Sequence, residues 1–335
     1  MSIEHHNLHL RIWTSLRTTV LTIMVLLYSA KVYSQQTAQH TLYMFNQYQY
    51  NPAYGGLDYS LSGSVHVRNQ WQGLEQGPSS VLVNCHLPFY VWNGALGVQI
   101  SSRDLGVFHY REATASYNYV LDLGNALWSN GARVGLSQLG IDGTAIITPD
   151  GVYTGGSVNH NDPLLPNSSI AGSGLSWQIG TYYKSDRLEM GGTLQGLPGN
   201  NIGVGSVTFN RSLHVTAFGQ YRFQIFGEYE VLQSILLKSD LVNIQTDITS
   251  IMKINGNVFG GIGLRGYSSS SLDAVSVILG AQLSKHITLI YSYDAGISGL
   301  RTVNDGSHEL LINYNLQKAI GTGLPPKIIY NPRYL

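Results

Sequence analysis

From about residue 57 onward, apolar and polar residues alternate along the chain with a period of two. In residues 59–68, apolar or small side chains occupy the odd positions and polar side chains the even ones, and residues 113–122, 275–283 and 310–317 repeat the pattern. Successive side chains of a strand point to opposite faces of a sheet. Each segment is therefore predicted to be a strand with one apolar and one polar face, and no segment shows a sustained helical period.

The alternation predicts an all-β chain of about fourteen strands. Most of them have the length of about 9–11 residues that a tilted strand needs to cross a bilayer. The predicted strands are 57–68, 79–87, 93–101, 110–122, 126–139, 172–183, 187–197, 211–223, 226–238, 241–254, 257–267, 273–284, 286–293 and 307–316.

The connections between these strands alternate in length. Those after even-numbered strands are short, whereas most after odd-numbered strands are longer, over 69–80, 102–109, 140–171, 198–210, 268–272 and 294–306. The link after the ninth strand is a short exception. Outer-membrane barrels have short periplasmic turns and longer external loops. The pattern therefore predicts a transmembrane antiparallel β-barrel.

A soluble β-protein is the less favoured alternative. Its polar faces would meet water and carry Lys and Glu, whereas here they carry Ser, Thr, Asn, Gln and Gly. Charged residues make up only 11% of the chain, and glycine and tyrosine number 38 and 22 of 335 residues. The formal net charge of +0 argues against nucleic acid as a partner, because phosphate binding needs a basic surplus.

The N-terminus has the features of a secretory signal peptide. Arg11 and Arg17 precede the apolar run 20–27, and Val32 and Ser34 fit a cleavage site before Gln35. We expect residues 1–34 to be removed on Sec export, the alternative being an uncleaved membrane anchor. The single cysteine, Cys85, excludes an intramolecular disulfide.

No catalytic constellation is visible in the sequence. Nucleophile, Walker, zinc-protease and CxxC motifs are absent, and residues 159–162 (NHND) lack the spacing of a calcium loop. His66, His86 and His214 fall on polar strand faces and are predicted to line the lumen. We expect no enzymatic activity, no cofactor and no metal site.

Several motifs resemble those of one family. They are residues 51–54 (NPAY), 68–71 (RNQW), 291–294 (YSYD), 306–309 (GSHE) and 332–334 (PRY). Together they resemble the PorP/SprF family of outer-membrane proteins of the type IX secretion system in Bacteroidota. Gly55 and Gln76 depart slightly from the family pattern. The resemblance implies a barrel that helps to export or anchor surface proteins, including large adhesins used in gliding, together with other secretion components.

The expected organisation follows from the barrel and the resemblance. Residues 35–56 are expected to form a periplasmic segment, 57–316 the barrel in outer-membrane lipid, and 317–335 a periplasmic tail. Partner contacts are predicted at the two rims, from Trp71, Leu74, Tyr293 and Asp294 outside and from Asn51, Pro52 and Tyr54 on the periplasmic side. Two alternatives stay open: these residues only pin strand ends, or the protein is a porin or hydrophobic-solute channel.

Overall fold

The computed structural model describes residues 38–320 except 155–156, 197–200, 206, 226–228, 255–256 and 269–270. The predicted signal peptide and residues 321–335 of the predicted tail lie outside the described residues. No helix in the described part of the chain is both long and apolar enough to cross a membrane.

Fourteen of the strands in the described chain pair antiparallel into one closed barrel, in the order β1-β16-β15-β14-β13-β12-β11-β10-β7-β6-β5-β4-β3-β2. The strands are β1 (Ser60–Asn69), β2 (Ser79–Phe89), β3 (Gly94–Leu105), β4 (Phe108–Asp122), β5 (Ala126–Asp142), β6 (Ser169–Ser185), β7 (Leu188–Gln195), β8 (Ile202–Val204), β9 (Val207–Phe209), β10 (His214–Ile225), β11 (Tyr229–Ser239), β12 (Ile244–Ile254), β13 (Val258–Ser268), β14 (Ser271–Gln282), β15 (Ile287–Gly296) and β16 (Ser307–Ala319). The short strands β8 and β9 form a separate hairpin. The predicted barrel and its strand number are confirmed.

The wall has an apolar outer face and a mostly polar inner face. Outward side chains such as Val83, Ile100 and Leu136 are exposed, whereas inward ones such as Asn84 and Ser129 are buried. The alternation along each strand produces this division, since neighbouring residues point to opposite faces. Strand β1 pairs with β16 and closes the barrel, so that each of its fourteen described strands has a neighbour on both sides.

The two ends of the barrel differ. At the turn end, where β1 begins and β16 ends, the connections 90–93, 123–125, 186–187, 226–228, 255–257 and 283–286 are short. At the loop end the connections are 70–78, 106–107, 143–168, 196–213, 240–243, 269–270 and 297–306.

Three predicted boundaries need correction. The expected loop over 102–109 is a two-residue turn, because β3 and β4 stay paired as far as Leu105 and Phe108, with Gly106 at φ 58° between them. The connection after β13 is also shorter than the predicted 268–272. Strand β16 continues to Ala319, three residues beyond the predicted end of the barrel at 316.

Residues 38–57, here called the plug, lie inside the barrel. The plug contains 3-10 turns at Tyr43–Phe45 and Pro52–Tyr54 and one helical turn, α1 (Gln47–Tyr50). Gln39 accepts a hydrogen bond from Gln70 at the loop end, and Leu57 accepts one from Lys184 near the turn end. The segment therefore passes along the lumen, whereas the sequence led us to expect a periplasmic extension.

An apolar cluster holds the first half of the plug. Leu42, Tyr43 and Met44 are almost fully buried against inward side chains of six consecutive strands, which are Leu236, Ile251, Phe259, Ile278, Ile290 and Leu311. Complete burial of a side chain such as Leu42 contributes about 1.5–3 kcal/mol. The plug is thus a folded segment that packs as part of the protein core.

Candidate functional site

Five charged side chains form a buried ionic clamp near the loop end: Arg68, Asp247, Arg265, Asp294 and Glu309. Arg68 binds Asp294 at 2.7 Å and Glu309 at 2.5 Å. Arg265 binds Asp247 at 2.7 Å and Asp294 at 3.1 Å. Strands β1, β12, β13, β15 and β16 supply these residues, all from inward positions, so the barrel brings together charges that are up to 241 residues apart.

The clamp holds the plug at Thr41. The Thr41 hydroxyl donates to Asp294 at 2.8 Å and accepts from Arg265 at 3.0 Å and from Arg68 at 3.3 Å. The backbone N–H groups of Thr41 and Leu42 both donate to the carboxylate of Glu309, each at 2.8 Å. All five clamp residues therefore contact the plug, since the carbonyl of Asp247 also accepts from the hydroxyl of Tyr43 at 3.2 Å.

Such a clamp serves specificity more than net stability. Removing charges from water costs several kcal/mol per ion, and mutual attraction repays this only when geometry and hydrogen bonding are good. Here Arg68, Asp294 and Glu309 are each at most 3% exposed and each has at least two partners. A displaced plug would leave these groups with fewer partners, so the clamp favours one position of the plug.

Two histidines adjoin the clamp. His66 of β1 places Nε2 2.6 Å from Glu309 and Nδ1 2.8 Å from Oε1 of Gln49 in the plug. His40 of the plug packs against His66, with ring centroids 4.4 Å apart. The two rings are therefore in contact where the plug passes the clamp.

A second contact region binds the helical turn α1. The last carbonyl groups of a helix have no partner within the helix. Arg133 of β5 donates to the carbonyl groups of Tyr48 and Gln49, and Gln178 of β6 donates to that of Tyr50. The Arg133 guanidinium also lies 4.7 Å from the centre of the Tyr48 ring. The wall thus supplies the donors that end this short helix.

Asn51 fixes the following turn. Its side-chain oxygen accepts from the N–H of Ala53 at 2.9 Å, and its amide group donates to the carbonyl of Thr181 in β6 at 2.9 Å. Glycines in the wall leave room for this approach: a Cβ at Gly180 would clash with Asn51, and one at Gly131 would lie 2.8 Å from the backbone nitrogen of Ala53. Part of the glycine content therefore serves plug packing.

Trp71, Leu74 and Tyr293 lie at or near the loop end of the barrel, and their contact with a partner stays a prediction. The N–H of Trp71 donates to Ser307, the Tyr293 hydroxyl donates to the carbonyl of Asp305 at 2.9 Å, and Leu74 is 39% exposed. Loop 70–78 and loop 297–306 are joined there by backbone hydrogen bonds between Gln72 and residues 305 and 306. The two loops are therefore joined at this end of the barrel.

The other predicted contact residues lie inside the barrel. Asp294 is only 3% exposed and belongs to the clamp. Asn51 and Pro52 are buried, and Tyr54 is half-buried with its ring 5.2 Å from that of Tyr182. Asn51, Pro52 and Tyr54 are nearer the turn end, and all four residues face the lumen and not a rim. Their contact with a partner stays a prediction, and it would require movement of the plug.

Sequence reasoning missed the clamp and the plug. A usable signal is the set of consecutive apolar residues that breaks the alternation, at 235–237, 277–279 and 310–312. The middle residue of each triplet is inward and nearly inaccessible: Leu236, Ile278 and Leu311. An apolar inner face on neighbouring strands indicates that an apolar element fills the lumen.

Two histidines that were predicted to line the lumen are inside the barrel, whereas the histidine of the longest loop packs within that loop. His66 and His86 are buried inside, as predicted, and His86 accepts from the N–H of Gly56. His160 of the 159–162 motif instead connects its own loop, with Nδ1 3.0 Å from the Tyr153 hydroxyl and Nε2 3.0 Å from the Pro166 carbonyl. His160 is therefore explained by loop packing.

Cavities adjoin the plug on both sides. One, of about 110 Å³, lies on the loop side beside His40, Gln99 and Arg133. Another, of about 340 Å³, lies on the turn side beside Phe45 and Lys184. Plug residues line both cavities.

A closed antiparallel barrel with an apolar outer belt and a lumen filled by its own N-terminal segment defines a transmembrane β-barrel protein. The chain belongs to the PorP/SprF family, since the family described as "Type IX secretion system membrane protein PorP/SprF" matches residues 32–314. The predicted family is confirmed. No curated protein matches this chain significantly.

Similarity to one solved structure, with a TM-score of 0.50, supports the fold alone. The Ralstonia pickettii toluene transporter TbuX is 11% identical, with a TM-score of 0.50 over 82% of this chain and 93% of that one. The Acinetobacter baumannii outer membrane protein Omp33 is 7% identical, with a TM-score of 0.44 over 77% of this chain and 99% of the other.

Proposed function

We propose that this protein is an outer-membrane component of the type IX secretion system that assists export or surface anchoring of secreted proteins. Large gliding-type adhesins are the proposed cargo, and other secretion components the proposed partners. Family membership supports this role. The structural observation that carries it is a lumen occupied by a plug whose clamp includes Arg68, Asp294 and Glu309, from three of the motifs of this chain.

The loop-end rim is the proposed docking surface for the cargo. Trp71, Leu74 and Tyr293 provide aromatic and apolar side chains of the kind that dominate binding energy at interfaces. Gln70, beside Trp71, donates to Gln39 of the plug at 3.1 Å. A protein docked on this rim would therefore contact a loop that is hydrogen-bonded to the plug.

The loop end is proposed to be external and the turn end periplasmic, in keeping with the usual lengths of barrel connections. After Sec export and signal-peptide removal, the plug would enter the barrel from the turn end. Strand β16 ends at Ala319 at that same end, and the tail that follows is the proposed contact for periplasmic components.

The alternative is a porin or hydrophobic-solute channel. The buried plug disfavours an open porin, because about twenty residues of ordered chain occupy the lumen. Deletion of the gene distinguishes the two roles. Loss of a surface-displayed protein with unchanged solute uptake supports secretion, and the reverse supports a channel.

The rim is tested by the double variant Trp71→Ala, Leu74→Ala. Removing two interface anchors is expected to lower surface display of the cargo by at least about tenfold, the effect of about 1.4 kcal/mol. Display is measured by protease shaving or antibody labelling of intact cells. Val91→Ala, Trp92→Ala is the matched control, since these exposed residues lie at the turn end.

Normal display by an inserted rim variant would contradict the docking surface. Failure of both double variants to migrate as heat-modifiable barrels would instead show that the aromatic residues only pin strand ends. The tail is tested separately by truncation after Ala319, because truncation at 316 would cut into β16. Normal display by that variant would exclude a tail contact.

A further inference from the structure

Three potential metal ligands from separate parts of the chain meet where the plug joins the barrel seam. His40 belongs to the plug, His66 to β1 and Glu309 to β16. One ring nitrogen of each histidine and one carboxylate oxygen all lie within 4.8 Å of one another, and all three residues are buried.

One of these histidines has an unexplained polar atom. His40 is 2% exposed, and its Nδ1 has no hydrogen-bond partner among the described residues. Buried polar atoms in proteins nearly always have a partner, so this atom requires an explanation. Packing against His66 explains where the His40 ring lies, but it gives Nδ1 of His40 no hydrogen-bond partner.

The surroundings of His66 resemble the outer shell of a metal site. Its Nδ1 lies 2.8 Å from Oε1 of Gln49, and Asn46 donates to the same Gln49 oxygen at 3.4 Å, which fixes the amide orientation. The Nδ1 of His66 therefore carries a proton and donates it to Gln49. Ligating histidines commonly donate their second N–H to such an oxygen and bind metal through the other nitrogen.

We propose that His40, His66 and Glu309 bind one divalent transition-metal ion, with Zn²⁺ as the best match. Two imidazoles and a carboxylate form a donor set that zinc uses, with water as a fourth ligand. Mg²⁺ and Ca²⁺ are disfavoured because they take oxygen ligands. Arg68 holds the second oxygen of Glu309, so the carboxylate binds through one oxygen only.

The site needs a small adjustment to bind zinc. His66 Nε2 and Glu309 Oε1 are 2.6 Å apart, whereas two tetrahedral ligands with bonds of about 2.0–2.1 Å are separated by about 3.3 Å. The ion would take the place of any proton between these two atoms. Arg68, Arg265 and Lys238 already balance the charge of the three nearby carboxylates. A bound metal ion would therefore add net positive charge to the site. The affinity must then come from the nitrogen ligands.

The ion would tie the plug to the strands that close the barrel. Strands β1 and β16 are hydrogen-bonded neighbours, with His66 paired to Leu311 two residues from Glu309. A metal ion bound to both strands and to His40 would hinder withdrawal of the plug. The plug would then be more mobile in a chelator than in zinc.

The test uses the full barrel in detergent with a purification tag that lacks histidine. After incubation with Zn²⁺ and dialysis, mass spectrometry of the metal is expected to find about one zinc per wild-type barrel. His40→Ala should weaken zinc binding at least about 100-fold, since it removes a direct ligand and outer-shell changes alone cost about 10–100-fold. His109→Ala, at a half-exposed position, is the control and should bind as the wild type does.

Plug mobility gives a second readout. Zinc should slow proteolysis within residues 38–57 of the wild type and of His109→Ala, but not of His40→Ala. His40 makes no described hydrogen bond through Nδ1, so its variant is expected to fold, and heat-modifiable migration verifies this. A folded wild type that retains no zinc, or a His40→Ala variant that retains as much, would overturn the proposal.

Discussion

Thr41 illustrates how much of this molecule depends on single polar contacts. A small hydroxyl accepts from two arginines and donates to one carboxylate, and the adjacent N–H groups donate to another. Each bond alone contributes about 0.5–1.5 kcal/mol, and more where a charge takes part. These bonds depend on one another, because loss of one partner leaves a buried charge without compensation.

Arg68→Ala should therefore destabilise the barrel strongly. Removing Arg68 leaves Asp294 and Glu309 buried with fewer positive partners, which is expected to lower the free energy of unfolding by about 3–5 kcal/mol. Denaturant unfolding in detergent, followed by tryptophan fluorescence, measures the change. Arg111→Ala removes an exposed ion pair with Asp104 and should change stability by less than about 1 kcal/mol. Equal effects of the two variants would contradict the clamp.

At the scale of elements, the wall and the plug are matched to each other. Inward glycines admit the plug backbone where it approaches the wall, and inward apolar residues cover its first turn. Gly131 is the clearest case, because the nearest plug atoms are backbone and cannot rotate away. The inward residues of the barrel wall thus fit the shape of the plug.

Gly131→Ala is expected to displace the plug. The added methyl would lie 2.8 Å from the nitrogen and 2.9 Å from the Cα of Ala53, and overpacking of this kind costs about 1–3 kcal/mol. Faster proteolysis within residues 38–57 of the folded barrel should report the displacement. Gly192→Ala is the control, since its Cβ would meet only a carbonyl oxygen at 3.8 Å. Unchanged proteolysis of Gly131→Ala would show that the plug adjusts locally to the added methyl group and stays in the lumen.

At the scale of the whole molecule, the plug occupies the lumen of a fourteen-stranded barrel. Fourteen strands enclose more space than the eight whose side chains fill an interior, and barrels of 16–18 strands leave a water channel. Plug residues line the cavities on both sides, His40 on the loop side and Phe45 on the turn side.

The wild-type barrel is therefore expected to conduct ions poorly in a planar bilayer. Deletion of residues 38–56 should raise the single-channel conductance several-fold, as expected for an emptied barrel of this strand number. Because the deletion uncovers the apolar cluster, Gly131→Ala provides a milder second variant with intermittent openings. Wild-type conductance as high as that of the deletion variant would mean that the plug does not block the lumen.

The sequence by itself determined the barrel, its strand number and its family. Strands have a period of two, and a lipid-facing surface makes that period visible over a whole chain. The motifs 68–71, 291–294 and 306–309 were also evident, and Trp71, Tyr293 and Asp294 of the first two were predicted to be rim contacts. For Asp294 that placement was wrong, because an acidic residue near a strand end has the same sequence signature inside a lumen as at its edge.

Only the tertiary structure decided what fills the lumen and which residues meet there. Thr41, Arg68 and Glu309 are brought together by barrel closure between β1 and β16, and no local pattern encodes a contact across 268 residues. The plug has no alternation of its own because it is neither strand nor long helix, and it is stabilised by the wall around it. Local periodicity therefore specified the wall, whereas long-range packing specified its contents.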